Sequence, residues 1–267
     1  MLTFDEKATA ATLEKFLAEY LKRSNCSGYV LGLSGGVDSA LSAAIAARAV
    51  GPEKTRGIIM PSSSSAAESV ADARRVAERL EIKTEKIDIS PMIEAYYGDP
   101  GKIDRVRLGN KMARERMSIL FDRAFELDCL VLGTSNRTEI CLGYGTLFGD
   151  MACSVNAIGM LYKTQVRQMA IYYGLPEEIA GKVPTADLWP GQTDEDELGL
   201  EYEVVDALLQ MIIEGGLTDR RKLNEAGFSD AVIDRTVALV NGNYFKRHLP
   251  PVADPGLTMI PDRIEII

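Results

Sequence analysis

Ser34-Gly35-Gly36-Val37-Asp38-Ser39 carries the residue types best suited to chemistry in this chain. Two adjacent glycines can adopt positive φ and let an anion come close to the backbone. Backbone N–H groups at such a turn, and at the start of a helix behind it, point outward and attract phosphate. Ser34 and Ser39 add hydroxyls. Asp38 is the discordant member, because a carboxylate repels phosphate. It makes sense when a divalent cation lies between the two charges, since Mg²⁺ takes oxygen ligands from carboxylate and phosphate together. Neither G-x-x-x-x-G-K-[ST] nor G-x-G-x-x-G is present, so two common phosphate loops are excluded. The alternative is a glycine-rich turn that binds nothing.

The flanking residues imply a strand and a helix. Tyr29-Val30-Leu31-Gly32-Leu33 reads as a buried strand, and 40–50 is apolar on every face, as a buried helix is. Ahead of them, Leu13, Phe16, Leu17, Tyr20 and Leu21 make one apolar stripe on a helix over 4–24. Strand two is expected at 56–60, ended by Pro61, and a helix at 66–80 with Val70, Ala73, Ala77 and Leu80 on one face. Strand three is expected over 82–89. Residues 103–127 form a long helix, and strand four runs over 129–134. Alternating strands and helices predict a parallel sheet with helices on both faces. Ser62-Ser63-Ser64-Ser65 follows a strand end and reads either as a linker or as a hydroxyl-rich loop facing a ligand. The concentration of arginine and lysine in 103–127 reads as a solvated face or as an anion-binding one.

After Thr134 the pattern dissolves into a long irregular segment rich in glycine, which in a compact fold is usually functional. A short helix is expected over 163–173, a Pro/Gly/acidic loop with Trp189 over 181–197, and helices near 198–213, 218–226 and 229–240. Thr218 and Ser229 are the expected N-caps of the last two. Residues 249–261 are proline-rich.

The 267 residues, 46% of them apolar, suffice for a sizeable core in one large domain or a domain with an appendage. No apolar run is long enough to span a bilayer, and the first residues lack the form of a signal peptide. The four cysteines, Cys26, Cys129, Cys141 and Cys153, fit no common zinc spacing and are expected reduced and mostly buried. These features point to the cytoplasm. A net charge of −9 disfavours sequence-independent nucleic-acid binding.

The pattern Ser-Gly-Gly-Val-Asp-Ser resembles the pyrophosphate loop of ATP pyrophosphatases, which cut ATP between the α and β phosphates. An ordered set of stretches narrows the likeness: Leu33–Ser39, Gly109–Met117, Gly133–Glu139, Gly149-Asp150, Leu161–Val166, Lys182–Leu188, Asp194–Gly199 and Lys246-Arg247. In this order the chain resembles ammonia-dependent NAD synthetase. The resemblance implies an α/β, doubly wound parallel sheet with helices on both faces, of the adenine nucleotide alpha hydrolase-like kind, with extra C-terminal helices. It implies one domain over 1–267, with a nucleotide-binding core at about 25–175 and a helical part at about 198–245.

The implied reaction amidates deamido-NAD with ATP and ammonia through an adenylate. On that likeness Gly32, Leu33, Ser34, Gly35, Gly36, Val37, Asp38, Ser39, Thr134, Lys163 and Thr185 bind ATP. Asp38 and Glu139 bind Mg²⁺. Asn110, Arg114, Leu147, Asp150, Ser154, Phe245 and Lys246 face deamido-NAD. Four positions depart from the family pattern: Leu147 stands for a lysine, Ser154 for an aspartate, Phe245 for a histidine and Ile59 for an arginine. All bear on the grip of dinucleotide or adenine, not on phosphate chemistry. Free ammonia is the expected nitrogen donor, because an amidase domain would need roughly 200 more residues. With His248 the only histidine, a histidine base is improbable; Asp150 is the candidate neighbour of the ammonia slot. A homodimer is the family expectation.

Three rivals remain. GMP synthetase would need a further dimerisation domain. A tRNA-thiolating enzyme would want paired cysteines and a basic surface. A non-catalytic nucleotide binder would not need two carboxylates for a metal.

Overall fold

The computed structural model describes residues 4–185, 189, 191, 193–248, 250, 251 and 253. It opens with α1 (Glu6–Ser24), where Asp5 accepts the Ala8 N–H at 2.9 Å and so caps the helix. The sheet then builds in sequence: β1 (Gly28–Gly32), α2 (Val37–Val50), β2 (Thr55–Ile59), α3 (Ala67–Arg79) and β3 (Lys83–Lys86). The chain returns through α4 (Ser90–Tyr97) and α5 (Arg105–Glu126) to β4 (Cys129–Gly133), α6 (Arg137–Leu142) and β5 (Val155–Asn156). All pairings are parallel, in the order β3-β2-β1-β4-β5.

This order explains where a ligand binds. From β1 the chain winds outward through β2 to β3, then crosses back to lay β4 on the other side of β1. Between β1 and β4 the connections leave in opposite directions, and a crevice opens beyond their carboxyl ends. The turn after β1 and the segment after β4 both border it.

Alternation along β1 feeds two cores. Tyr29, Leu31 and Leu33 join the cluster made with α1, α2 and α3, while Val30 joins Met112, Met117 and Leu120 of α5 on the opposite face. Helices therefore cover both faces, as the sequence predicts. The chain continues through α7 (Lys163–Tyr172), α8 (Glu177–Ala180), α9 (Asp194–Leu198), α10 (Tyr202–Ile213), α11 (Arg220–Glu225) and α12 (Asp230–Gly242). The last helices bury Tyr202, Val205 and Leu209 against Leu142 of α6 and Tyr162.

Some expectations shift. The irregular segment after Thr134 contains α6, which is closed by a full capping box, and the two-residue β5. The eight-residue α4 is also unforeseen. Strand three ends at Lys86, although Ile87 and Ile89 still donate to Ile59 and Pro61 at 2.9 Å. The helix expected from 198 begins at Tyr202, because Gly199 at φ 66 ends α9 first. Asp219, not Thr218, caps α11: its carboxylate reaches the N–H groups of Arg221 and Lys222 at 3.0 and 3.4 Å. Ser229 caps α12 as expected. The cysteines are free, and all four are partly buried, each at the margin of an apolar cluster. Ala186, Asp187 and Leu188 of the resemblance, and most of the proline-rich 249–261 stretch, lie outside the described residues. Among the described residues no helix is long and apolar enough to cross a membrane.

Candidate active site

At the crevice the chain leaves β1 into a hydroxyl-laced turn. Ser39 Oγ accepts the Ser34 N–H at 3.2 Å and lies 3.1 Å from Ser34 Oγ, which accepts the Gly36 N–H at 3.3 Å. Gly35 sits at φ 86, and a β-carbon there would lie 2.3 Å from the Ser69 carbonyl oxygen of α3. Both facts demand glycine. Gly36 begins the 14-residue α2 without a side-chain cap, so its first N–H groups and the helix dipole face the crevice.

Glu139 arrives from the other side on α6. Asn136 and Glu139 form the reciprocal capping box: Asn136 Oδ1 accepts the Glu139 N–H at 3.0 Å, and Glu139 Oε2 accepts the Asn136 N–H at 3.1 Å. The same Asn136 donates from Nδ2 to Asp38 Oδ1 at 2.8 Å. One buried asparagine thus fixes both carboxylates. Their remaining oxygens face Lys163, whose Nζ lies 2.5 Å from Asp38 Oδ2 and 3.4 Å from Glu139 Oε1. The lysine is placed from below. Its N–H donates to Thr138 Oγ1 at 3.0 Å, and Asp206 of α10 ties Thr138 Oγ1 and the Thr164 N–H together at 2.5 and 2.8 Å. The C-terminal helices therefore hold the start of α7 in register.

A third carboxylate completes the cluster. Asp194, at the start of α9, is buried and accepts from the hydroxyls of Tyr144 and Tyr202 at 3.0 and 3.2 Å. Burial, with the Asp38 charge behind it, lifts Glu139 above the usual carboxylate range to about 8. Burial also lifts Asp194, against the pull of Lys163. For Lys163 burial acts downward, but the Asp38 and Glu139 charges outweigh it and hold the ammonium well above its ordinary range. A divalent cation placed among these carboxyl groups would favour their ionised forms, against the burial that raises Glu139 and Asp194. Among the described residues no cluster of three or more His, Cys, Asp or Glu is arranged as a complete metal cage. Two carboxylates suit a cation that draws its other ligands from phosphate and water, as Mg²⁺ does.

The turn, Asp38, Glu139, Lys163 and Thr185 line one cavity of about 460 Å³, together with Asn110, Asp150, Asp194 and Lys246. An adjoining space of about 240 Å³ is walled by Leu33, Ile58, Met60, Met117, Leu120 and Leu132, and Thr134 borders both. Ser65, from the serine run, reaches the second space. Asp150 Oδ1 accepts the Thr146 N–H at 2.7 Å, and burial raises its pKa. Thr146 in turn donates to Asn110 Oδ1 at 2.7 Å. Lys246 Nζ donates to the Gly143 and Gly145 carbonyls at 2.7 and 2.9 Å, and burial lowers its pKa.

Arg114, Ser154 and Phe245 line neither cavity. Arg114 is exposed, with Nε on the Leu147 carbonyl at 3.2 Å. Ser154 is spent on β4, its Oγ taking the Val131 N–H at 3.2 Å. Phe245 is half exposed and packs edge-on to Tyr244. Ile59, buried in β2 within the cluster of α1 and α2, lines the second space beside Ile58. The residues not singled out from sequence are Asn136, Tyr144, Asp194 and Tyr202. Asn136 carried a readable signal, an asparagine three residues before glutamate. Asp194 opens one of the stretches that carry the family likeness, but its place in the cluster was not readable, since its burial comes from tyrosines 50 residues upstream and 8 downstream.

Comparison with known proteins agrees with this layout. The model of the NAD synthase family matches residues 9–250. A relative from Trichlorobacter lovleyi named NH(3)-dependent NAD(+) synthetase is 45% identical over 252 residues, 94% of this chain and 92% of its own. Among solved structures, NMN synthetase from Francisella tularensis aligns with TM-score 0.83 and 32% identity, covering 94% of this chain and all of the other. The NH3-dependent NAD synthetase of Campylobacter jejuni aligns with TM-score 0.80 and 32% identity at the same coverage. With the family model matching residues 9–250 and nine-tenths of its length aligned to these proteins, the chain belongs to the NAD synthase family.

Proposed function

We propose that this protein amidates deamido-NAD to NAD with ATP and free ammonia, through an adenylated nicotinate, releasing AMP and pyrophosphate. The observation that carries this reading is the meeting of Asp38, Glu139 and Lys163 beside an uncapped helix start, in one cavity with a neighbouring apolar slot. A carboxylate is a poor acyl donor because oxide is a poor leaving group. Adenylation supplies a better one, and the protein's work is then positioning and charge stabilisation at phosphorus.

The Ser34–Ser39 turn and the first N–H groups of α2 would hold the polyphosphate, with Lys163 and Thr185 as further phosphate contacts. The slot between Leu33, Ile58 and Leu132 would take the adenine ring, with Thr134 at its edge. Asp38 and Glu139 would hold Mg²⁺, which when bound neutralises charge building between the α and β phosphates. The nicotinate carboxylate, held on the side of Asn110, Asp150 and Lys246, attacks the α-phosphorus. Ammonia then attacks the acyl carbon, AMP leaves, and a proton is shed beside Asp150. The four free thiols agree with a reducing, cytoplasmic setting. Phe125, 92% exposed on α5, offers an apolar surface for the homodimer.

Purified protein given deamido-NAD, ATP, Mg²⁺ and ammonium is expected to form NAD and AMP in equal amounts. Release of ADP, or no NAD, would end this reading. A second reading is amidation of nicotinate mononucleotide, favoured by the match to a protein named NMN synthetase. Comparing kcat/KM for the two acceptors decides between them.

A further inference from the structure

The lysine at the centre of the cluster occupies the place a cation needs. Asp38 and Glu139 each have one oxygen committed to Asn136, at 2.8 and 3.1 Å. The other oxygen of each faces Lys163 Nζ, at 2.5 and 3.4 Å. The lysine side chain is only 3% exposed, against 17% for Asp38 and 16% for Glu139. Its Nζ lies 5.2 Å from the Tyr202 ring centre, with Asp194 also drawing on its charge. A divalent ion that takes those oxygens at about 2.1 Å would lie close to an ammonium already in hydrogen-bond contact with them, and the two positive charges repel.

We propose that Lys163 is a built-in stand-in for the divalent cation, so that the cation enters this site only together with a nucleotide. A polyphosphate on the Ser34–Ser39 turn lines up in the same cavity as Nζ. It offers the ammonium new oxygens, and the carboxylates are released to the ion at the moment they are needed. Without nucleotide, the ammonium holds one oxygen of each of the two carboxyl groups and repels an incoming ion. This rests on the reading of Asp38 and Glu139 as cation ligands.

The test is Mn²⁺ uptake, followed by loss of the free-ion paramagnetic signal, on purified protein with no acceptor present. Without nucleotide, wild type and Lys163→Arg are expected to bind Mn²⁺ weakly. Lys163→Met is expected to bind one Mn²⁺ at least about 10-fold more tightly, because the repelling charge is gone. Adding Glu139→Gln to Lys163→Met is expected to remove that gain. With an ATP analogue carrying a methylene between the α and β phosphorus atoms, wild type is expected to take up Mn²⁺ beyond what the analogue alone holds. Nucleotide-free wild type binding Mn²⁺ as tightly as Lys163→Met would overturn the stand-in role while leaving the ligand reading intact. Uptake by no form, even with the analogue, would remove both. Should Lys163→Met fail to fold by circular dichroism, wild type decides alone: equal Mn²⁺ affinity with and without the analogue overturns the proposal.

Discussion

On the phosphate side of the crevice, Lys163, Asp38 and Glu139 keep side-chain exposures of 3, 17 and 16%, and every one of them is held by a named partner. On the acceptor side, Phe148 and Phe245 are 60 and 49% exposed, and Arg114 spends its Nε on a backbone carbonyl. The first side is over-determined: Asn136 orients two carboxylates, Thr138 and Asp206 place the lysine, and a steric contact fixes Gly35. The second combines held residues (Asn110, Asp150 and Lys246) with an exposed rim. Chemistry at phosphorus tolerates little displacement, whereas a rim exchanges side chains at small cost. None of the four departures from the family pattern lines the cavity with Asp38, Glu139 and Lys163, although Ile59 is buried in β2 beside the second space and Ser154 is bonded to β4.

The comparison can be broken most forcefully at Asp38. Asp38→Asn is expected to lower kcat/KM by about 10³-fold or more while the protein stays folded, because on the proposed reading it removes one of two cation ligands. Near-wild-type turnover in that variant would sink the ligand role. Asn136→Ala acts one step away. It is expected to cost about 10–100-fold in kcat through loosened carboxylates, and about 1 kcal/mol of stability through the lost cap. A loss in stability without a loss in kcat would reduce Asn136 to a helix cap. Asp206→Ala should act mainly on the scaffold. It orphans the Thr138 hydroxyl and the Thr164 N–H, at about 2–4 kcal/mol, so thermal unfolding should fall by roughly 5–10 °C. An unchanged melting curve would contradict the support assigned to α10. The smallest effect belongs to the rim. Leu147→Lys is expected to lower KM for deamido-NAD about fivefold or less with kcat unchanged, as one exposed charged contact does. A kcat change of 100-fold there would show that the rim, too, governs chemistry.

How far the sequence reached follows the same divide. The parallel α/β sheet was legible because β1 and β4 are buried on both faces and read as unbroken apolar runs. The turn was legible because two glycines and an aspartate sit where strand gives way to helix. The capping-box spacing of Asn136 and Glu139 was in plain view within a segment that otherwise looked irregular. The burial of Asp194 was not legible, since it depends on Tyr144 and Tyr202 meeting across the fold. Nor was Ser154 readable as part of the sheet edge: β5 is two residues long and has no periodicity to detect. The engagement of Lys163 with both carboxylates joins residues 125 and 24 positions apart in the chain, and only the sheet order brings them together.

The central claim is that the acceptor's own carboxylate attacks the α-phosphorus of ATP. Deamido-NAD labelled with ¹⁸O in both carboxylate oxygens tests it most directly, with mass analysis of AMP and pyrophosphate after turnover with ammonium. The account predicts one ¹⁸O in the AMP phosphate and none in pyrophosphate. Label in pyrophosphate, or unlabelled AMP alongside NAD, would contradict it.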